Sequence, residues 1–94
     1  MKNFTQNLGL CRKAGALSIG FDAVVEAMKK GSAKGVLISS DVSAKTLKEV
    51  NFHAEKYKTE IACIPADMEE IKRIIGKSAG VIAVTDEGLF SLFK

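Results

Sequence analysis

Five segments of the chain carry apolar residues at the three- and four-residue spacing of amphipathic helices. Glycines end three of these segments, and Ser, Thr or Asp side chains that can cap a helix precede the last three. Thr46 and Glu49 also stand at the spacing of a capping box. The predicted helices are residues 3–14, residues 21–30, a segment from Ser43 or Thr46 to Tyr57, residues 68–75 after Asp67, and a short segment from Thr85 or Asp86 to Phe93.

Four short, mainly apolar runs alternate with these helices, at residues 17–19, 36–39, 61–64 and 81–84. Consecutive apolar residues are typical of buried strands that are covered on both faces. The alternation predicts an α/β protein, a three-layer α-β-α sandwich with a mixed sheet of about four strands. With 94 residues and no repeat or linker, residues 1–94 are expected to form a single domain.

Composition narrows the class of protein but does not identify a partner. Hydrophobic residues make up 47% and charged residues 27% of the chain, which excludes a disordered or fibrous protein. The net charge of +3 is uneven: residues 1–34 hold six bases and two acids, which gives +4, and residues 35–94 hold eight bases and nine acids, which gives −1. This excess favours an anionic partner, although lysines kept for solubility explain it equally well.

The two cysteines and the first residues indicate a cytoplasmic protein. Cys11 and Cys63 lack a CxxC partner or a His at ligand spacing, so we expect neither a disulfide nor a zinc site. Each is expected to pack as a small apolar residue in a reducing compartment. The start of the chain lacks the apolar segment of a signal peptide, and no apolar run is long enough for a membrane span.

The sequence contains no pattern typical of a catalytic or nucleotide site. His53, the only histidine, has no motif that links it to an acid or a nucleophile, so we expect a structural or surface role. Gly76-Lys77-Ser78 resembles the end of a phosphate-binding P-loop, but Ile71 stands where the motif needs its first glycine. We therefore predict no enzyme activity, no cofactor and no metal.

The strongest candidate site is the predicted strand-to-helix junction Gly20-Phe21-Asp22-Ala23. The first amides of a helix lack intrahelical partners and attract phosphate groups or polar base edges. The small basic loop at residues 76–80 is a possible neighbour of this junction, and basic residues end the first two predicted helices. These basic residues would equally stabilise helix C-termini on a solvated surface, where positive charge is favourable. The residues alone leave both nucleic-acid binding and a plain solvated surface open.

Taken together, several motifs make the chain resemble the kink-turn RNA-binding ribosomal proteins, the seven-Ae and thirty-e group of the large subunit, and in particular their small bacterial YlxQ-like branch. The resemblance covers nearly the whole chain and depends on the order and spacing of the motifs. They are Leu8-Gly9-Leu10-Cys11-Arg12-Lys13-Ala14-Gly15, Gly20-Phe21-Asp22-Ala23-Val24-Val25, Ala33-Lys34-Gly35-Val36-Leu37-Ile38, Ser40-Asp41-Val42-Ser43, and Ile75-Gly76-Lys77 before Val81-Ile82-Ala83-Val84-Thr85-Asp86.

The resemblance implies an α-β-α sandwich that binds RNA through the junction before the second helix and the loop before the last strand. In this family the junction typically reads Gly-Thr-Asn-Glu-Val-Thr-Lys, and its Asn, Glu and Lys read the paired G·A bases at the kink. The matching residues here are Asp22, Ala23 and Glu26, and all three depart from the pattern. Glu26 repels phosphate, and Ala23 cannot accept a hydrogen bond from guanine. The arginine or lysine that the family has later in the same helix is retained as Lys30.

The expected function is non-catalytic binding of structured, kink-turn-like or ribosomal RNA by a monomer associated with the ribosome. The departures leave a second hypothesis open, a protein-interaction adaptor that kept the fold and lost specific kink-turn recognition. The residues expected to contact RNA are those of the junction, Glu26 on the same helix, the flanking basic residues and the second loop. They are Arg12, Lys13, Gly20, Phe21, Asp22, Ala23, Glu26, Lys30, Lys77, Ser78 and Ala79.

Overall fold

The structure, a computed structural model, describes residues 3–94 as one sheet between two layers of helices. The order of helices and strands confirms the predicted α-β-α architecture. In chain order the elements are α1 (Phe4–Lys13), β1 (Leu17–Ile19), α2 (Phe21–Lys29), β2 (Gly35–Ile38), α3 (Ala44–Tyr57), β3 (Ile61–Cys63), α4 (Met68–Ile75), β4 (Val81–Val84), α5 (Glu87–Phe90) and a closing 3-10 turn (Ser91–Phe93).

The sheet is mixed, with the strand order β1-β4-β2-β3. β4 runs antiparallel to β1 and β2, whereas β2 and β3 are parallel. The register pairs Ile19 with Ile82 and Ile38 with Val81. The ends of β1, β2 and β3 and the start of β4 therefore meet at one end of the sheet, and the loops beside them become neighbours.

Two apolar cores lie on opposite faces of this sheet because successive side chains of a strand point to opposite faces. One core joins the sheet to α1, α4 and α5, and the other joins it to α2 and α3. β2 and β4 are buried along their whole length, as the continuous apolar runs predicted. Leu37, Ile82 and Val84 contribute to the first core, and Val36, Ile38, Val81 and Ala83 contribute to the second.

The buried glycine of β2 explains how α5 closes the first core. The aromatic ring of Phe90 lies against the backbone of Gly35, in the space that a Cβ atom would occupy. Any side chain at position 35 must displace this ring, which is itself almost completely buried. The fold therefore requires glycine here for close packing.

Three local predictions need correction. Ser43 alone caps α3, because its Oγ accepts from the Thr46 amide at 3.2 Å, and Thr46 lies within the first turn, which excludes the predicted capping box with Glu49. β3 is an edge strand of partly exposed residues and not a buried strand. Cys63 is consequently exposed, whereas Cys11 is fully buried as predicted, and both thiols are free.

Candidate nucleic-acid interface

Loops from distant parts of the chain form a groove of about 370 Å³ at the sheet end where β1 and β2 finish and β4 begins. The predicted junction lies on one side of this groove and part of the predicted second loop lies on another. Two backbone hydrogen bonds hold these loops in place, from Gly20 N–H to Val81 O at 3.1 Å and from Ser39 N–H to Gly80 O at 2.9 Å. The groove is lined by Gly20, Phe21, Asp41, Val42, Ser43, Thr46, Met68, Ser78, Ala79, Gly80 and Val81.

The junction presents backbone donors without a side-chain cap. Gly20 is the N-cap of α2 and has a φ of 101°, a conformation that side-chain-bearing residues rarely adopt. The first hydrogen bond of the helix runs from the Val24 amide to Gly20 O at 2.9 Å. The amides of residues 21–23 therefore precede the helical hydrogen-bond ladder. Asp22 and Ala23 are exposed beside them, which leaves this turn open to a ligand.

The second loop contributes unequally to the groove. Ser78 is an exposed polar side chain on the groove wall, whereas Ala79 is buried and packs into the core beneath α1 and α4. Lys77 is exposed but does not line the groove. A Cβ atom on Gly80 would lie only 3.2 Å from Val42 Cγ2 and 3.3 Å from the Oγ of the buried Ser39. The absence of a side chain at position 80 therefore keeps part of the groove open.

Residues after β2 and at the start of α4 form a third wall that the sequence reasoning did not place in the site. Asp41, Val42, Ser43 and Thr46 follow β2, and the Asp41 carboxylate accepts a hydrogen bond from the Met68 amide at 3.0 Å. The motif at residues 40–43 contributes to the family resemblance, but its sequence alone does not indicate a binding site. The antiparallel pairing of β2 and β4 was the missing information, since it brings this loop beside residues 78–80.

Among residues 3–94, no basic side chain lines the groove, and Asp41 is the only ionisable group that does. A phosphate would meet a carboxylate there, whereas a nucleobase or ribose would meet hydroxyl groups and an apolar surface. Ser43, Thr46 and Ser78 supply hydroxyls that donate or accept hydrogen bonds. The chemistry of the groove therefore suits an uncharged part of a nucleotide. Any phosphate must be neutralised by basic side chains outside the groove.

Two of the basic side chains that are predicted to bind phosphate already contact other residues of the protein. Arg12 Nη1 donates to Ile74 O at 3.3 Å and so attaches α1 to the end of α4, just before the second loop. Lys30 forms an ion pair with Glu26 at 3.7 Å, and both side chains are more than half exposed. Such exposed pairs contribute little to stability and can be exchanged for another partner. Arg12 and Lys30 are therefore partly positioned by the fold.

The sequence profile of the ribosomal protein L7Ae/L30e/S12e/Gadd45 family matches residues 2–93. The chain belongs to this family. The resemblance inferred from the motifs is thereby confirmed, and so is the expectation of a non-catalytic protein, since members of the family are ribosomal-type proteins.

Two relatives show the range of the family that the chain resembles. The RNA-binding protein YlxQ of Bacillus subtilis (strain 168) is 34% identical over 86 residues, which cover 86% of this chain and 81% of that protein. The large ribosomal subunit protein eL30 of Eremothecium gossypii is 26% identical over 89 residues, which cover 93% of this chain and 85% of that protein. The similarity to YlxQ confirms the bacterial branch that the motifs indicated.

Solved structures share the fold. A Bacillus halodurans protein of unknown function has a TM-score of 0.88 at 28% identity, over 99% of this chain and 94% of that one. The Giardia lamblia 15.5kD RNA binding protein has a TM-score of 0.78 at 13% identity, over 95% of this chain and 77% of that one. At 13% identity the second likeness shows the common fold alone. Together they confirm the predicted α-β-α sandwich.

The family positions on α2 form a continuous exposed face. Asp22, Ala23, Glu26 and Lys30 are all exposed, and their spacing of three or four residues places them along one side of the helix. Lys30 lies about 15 Å from Gly20 along the helix axis, estimated from the helical rise per residue. A ligand that reaches both the groove and Lys30 must therefore be an extended one.

His53 occupies a structural position, as predicted. Its ring packs between Phe21, Phe52 and Tyr57, and its Nδ1 is buried without a hydrogen-bond partner among residues 3–94. Within the same residues, no cluster of three or more His, Cys, Asp or Glu side chains has the geometry of a metal site. None of the helices in this part of the chain has the length and apolar character that crossing a membrane requires.

Proposed function

We propose that this protein is a non-catalytic RNA-binding protein that binds structured or ribosomal RNA in the cytoplasm and associates with the ribosome as a monomer. The observation that carries the proposal is the groove between the uncapped start of α2 and the loop at residues 78–80. The relatives named RNA-binding protein YlxQ and ribosomal protein eL30 support it.

The lining of the groove supports the binding of a base or ribose there. Donors come from the first amides of α2, and hydroxyls come from Ser43, Thr46 and Ser78. RNA-binding proteins commonly recognise unpaired or splayed nucleotides through their edges, because the deep groove of an RNA duplex is too narrow to read. An RNA with a sharp bend and an exposed nucleotide therefore fits this groove better than a plain duplex.

Lysine and arginine side chains around the groove would neutralise the phosphates. Lys13 and Lys77 are exposed, and among residues 3–94 they form neither an ion pair nor a side-chain hydrogen bond. Arg12 and Lys30 would join them, with Lys30 leaving its exposed pair with Glu26. If about three phosphates are neutralised, the logarithm of the affinity should fall with the logarithm of the salt concentration with a slope of about −2 to −3.

Binding of labelled RNA, followed by fluorescence anisotropy at low salt, tests the proposal. The RNAs are a kink-turn RNA, a plain duplex of equal length and total ribosomal RNA. Lys30→Glu should weaken binding to all three, because it replaces attraction to phosphate by repulsion. Lys94→Glu is the matched control, since Lys94 also forms an ion pair with more than half of each side chain exposed, with Glu60 at 3.2 Å. Equal and negligible binding of all three RNAs would refute the proposal.

Affinity purification with and without nuclease tests association with the ribosome. Ribosomal proteins recovered with the tagged chain should disappear after nuclease treatment if RNA carries the association. A specific protein partner that survives nuclease, together with no RNA binding, would favour the adaptor hypothesis instead.

A further inference from the structure

Phe52 is the most exposed large apolar side chain among residues 3–94, with 65% of its surface accessible. It lies on α3, whose inward stripe packs on the sheet through other residues. Exposing an aromatic ring of this size to water costs free energy, because apolar surface is poorly solvated. Nothing in the packing of the fold requires a phenylalanine at this position.

Phe52 belongs to a small aromatic surface that only the tertiary structure assembles. The His53 ring lies 5.4 Å from Phe52 and 6.0 Å from Phe21, with edge-to-face angles of 80° and 65°. The Tyr57 ring lies nearly parallel to the His53 ring, with 6.5 Å between their centroids. Edge-to-face packing of this kind is favourable, so it holds these rings together on the surface of the protein.

The rings of Phe21, Phe52 and His53, with Lys48 and Glu49, line a depression of about 360 Å³. Phe21 also lines the groove at the sheet end, so the two surfaces are continuous through a single residue. Among the lining residues, Lys48 supplies a donor and a positive charge, and Glu49 supplies an acceptor. Aromatic rings together with polar groups match a nucleobase, which has apolar faces and polar edges.

We propose that this depression is a second nucleobase subsite, in which an unpaired base stacks on Phe52 next to the nucleotide held in the groove. The inference rests on the proposed RNA binding and extends it. Because Phe21 lines both the groove and the depression, a base that follows the nucleotide in the groove lies next to Phe52. Stacking on aromatic side chains tolerates any base, since every base has an apolar face. The subsite therefore adds affinity for RNAs with consecutive unpaired nucleotides, without reading their sequence.

The test compares Phe52→Ala with the wild-type chain on a kink-turn RNA that has unpaired nucleotides and on a plain duplex. Phe52→Ala should weaken binding of the kink-turn RNA about tenfold and leave duplex binding unchanged. The salt slope should not change, because no phosphate contact is lost. Leu92→Ala is the matched control, since Leu92 is another exposed apolar residue, at 43%, and lies in the closing 3-10 turn.

A spectroscopic measurement separates stacking from a structural effect. The chain contains no tryptophan, so Phe52→Trp introduces the only one, whose fluorescence can be excited selectively over that of Tyr57. Its emission should be quenched when the kink-turn RNA is added, and the duplex should have no such effect. Phe52→Trp should also retain the affinity that Phe52→Ala loses.

The outcomes distinguish this inference from the proposed function. If the wild-type chain binds the kink-turn RNA but Phe52→Ala binds it equally well, the subsite is refuted and the proposed function stands. If Phe52→Ala instead abolishes self-association or capture of a purified protein partner, the surface is a protein interface and the subsite is again refuted. If the wild-type chain binds no RNA, both proposals fail.

Discussion

Replacing Glu26 by lysine tests whether the exposed face of α2 contacts RNA. Glu26 is the position at which the family pattern has lysine, and it lies one turn before Lys30 on the same side of the helix. The substitution changes the charge by two units at one point of the proposed interface. It also breaks the ion pair of 3.7 Å between Glu26 and Lys30.

The cost to folding should be small. The two side chains are 58% and 69% exposed, and an exposed pair of this kind is worth about 0.3–0.5 kcal/mol. Repulsion between the lysines that replace it costs a similar amount. The free energy of unfolding should therefore fall by less than about 1 kcal/mol, and a change in RNA binding will report on the interface and not on unfolding.

The gain in affinity follows from Coulomb's law. A unit charge about 7 Å from a phosphate in water contributes about 0.6 kcal/mol, so a change of two charge units contributes about 1.2 kcal/mol. Screening at about 0.1 M salt removes roughly half of this, since the Debye length is about 10 Å. The dissociation constant should therefore fall about threefold. The slope of log affinity against log salt should steepen by about 0.7–0.9 for the added phosphate contact.

Fluorescence anisotropy with the kink-turn RNA at several salt concentrations measures both quantities. Glu60→Lys is the control, because it makes the same charge change and breaks another exposed ion pair, with Lys94. Glu60 precedes β3 at the sheet end opposite the groove. An equal gain in both variants would mean that net charge alone acts. No gain with Glu26→Lys would refute the contact.

Three further predictions test other parts of the structure. Asp22→Asn should raise the preference for kink-turn RNA over duplex at least about fivefold, since one base contact is worth about 1–3 kcal/mol. An unchanged ratio of dissociation constants would count against this contact. Gly35→Ala should destabilise the fold by about 1–3 kcal/mol through overpacking, whereas Gly9→Ala should stabilise α1 by about 0.5–1 kcal/mol, because the space around its Cβ position is open. Urea unfolding midpoints of the two variants that move in the same direction would contradict this. Iodoacetamide should modify exposed Cys63 first, because burial raises the pKa of the Cys11 thiol and excludes the reagent; equal rates by mass spectrometry would disprove it.

Much of the site was predictable from local sequence, and the rest was not. Gly20 and Phe21 were predicted because a glycine between a strand and a helix is a local signal. Ala79 is predicted as part of the second lip and does line the groove, but its side chain is buried in the core, because a short loop of small residues gives no signal of which side chain faces inward. Asp41 and Met68 were missed because they reach the groove only through the strand pairing.

The aromatic surface shows the same limit. Phe21 and Phe52 are 31 positions apart, and neither lies within a run of basic residues. They meet around His53 because α2 and α3 pack side by side on one face of the sheet. No periodicity within either helix contains that information.

The sequence by itself determined the order of helices and strands, the burial of β2 and β4 but not of β3, and the family to which the chain belongs. These properties depend on residues a few positions apart, where spacing, capping and apolar runs act directly. Only the tertiary structure decided which loops meet, because that depends on the order, direction and register of strands far apart in the chain. It is the pairing of β4 with both β1 and β2 that turns separate segments into one groove.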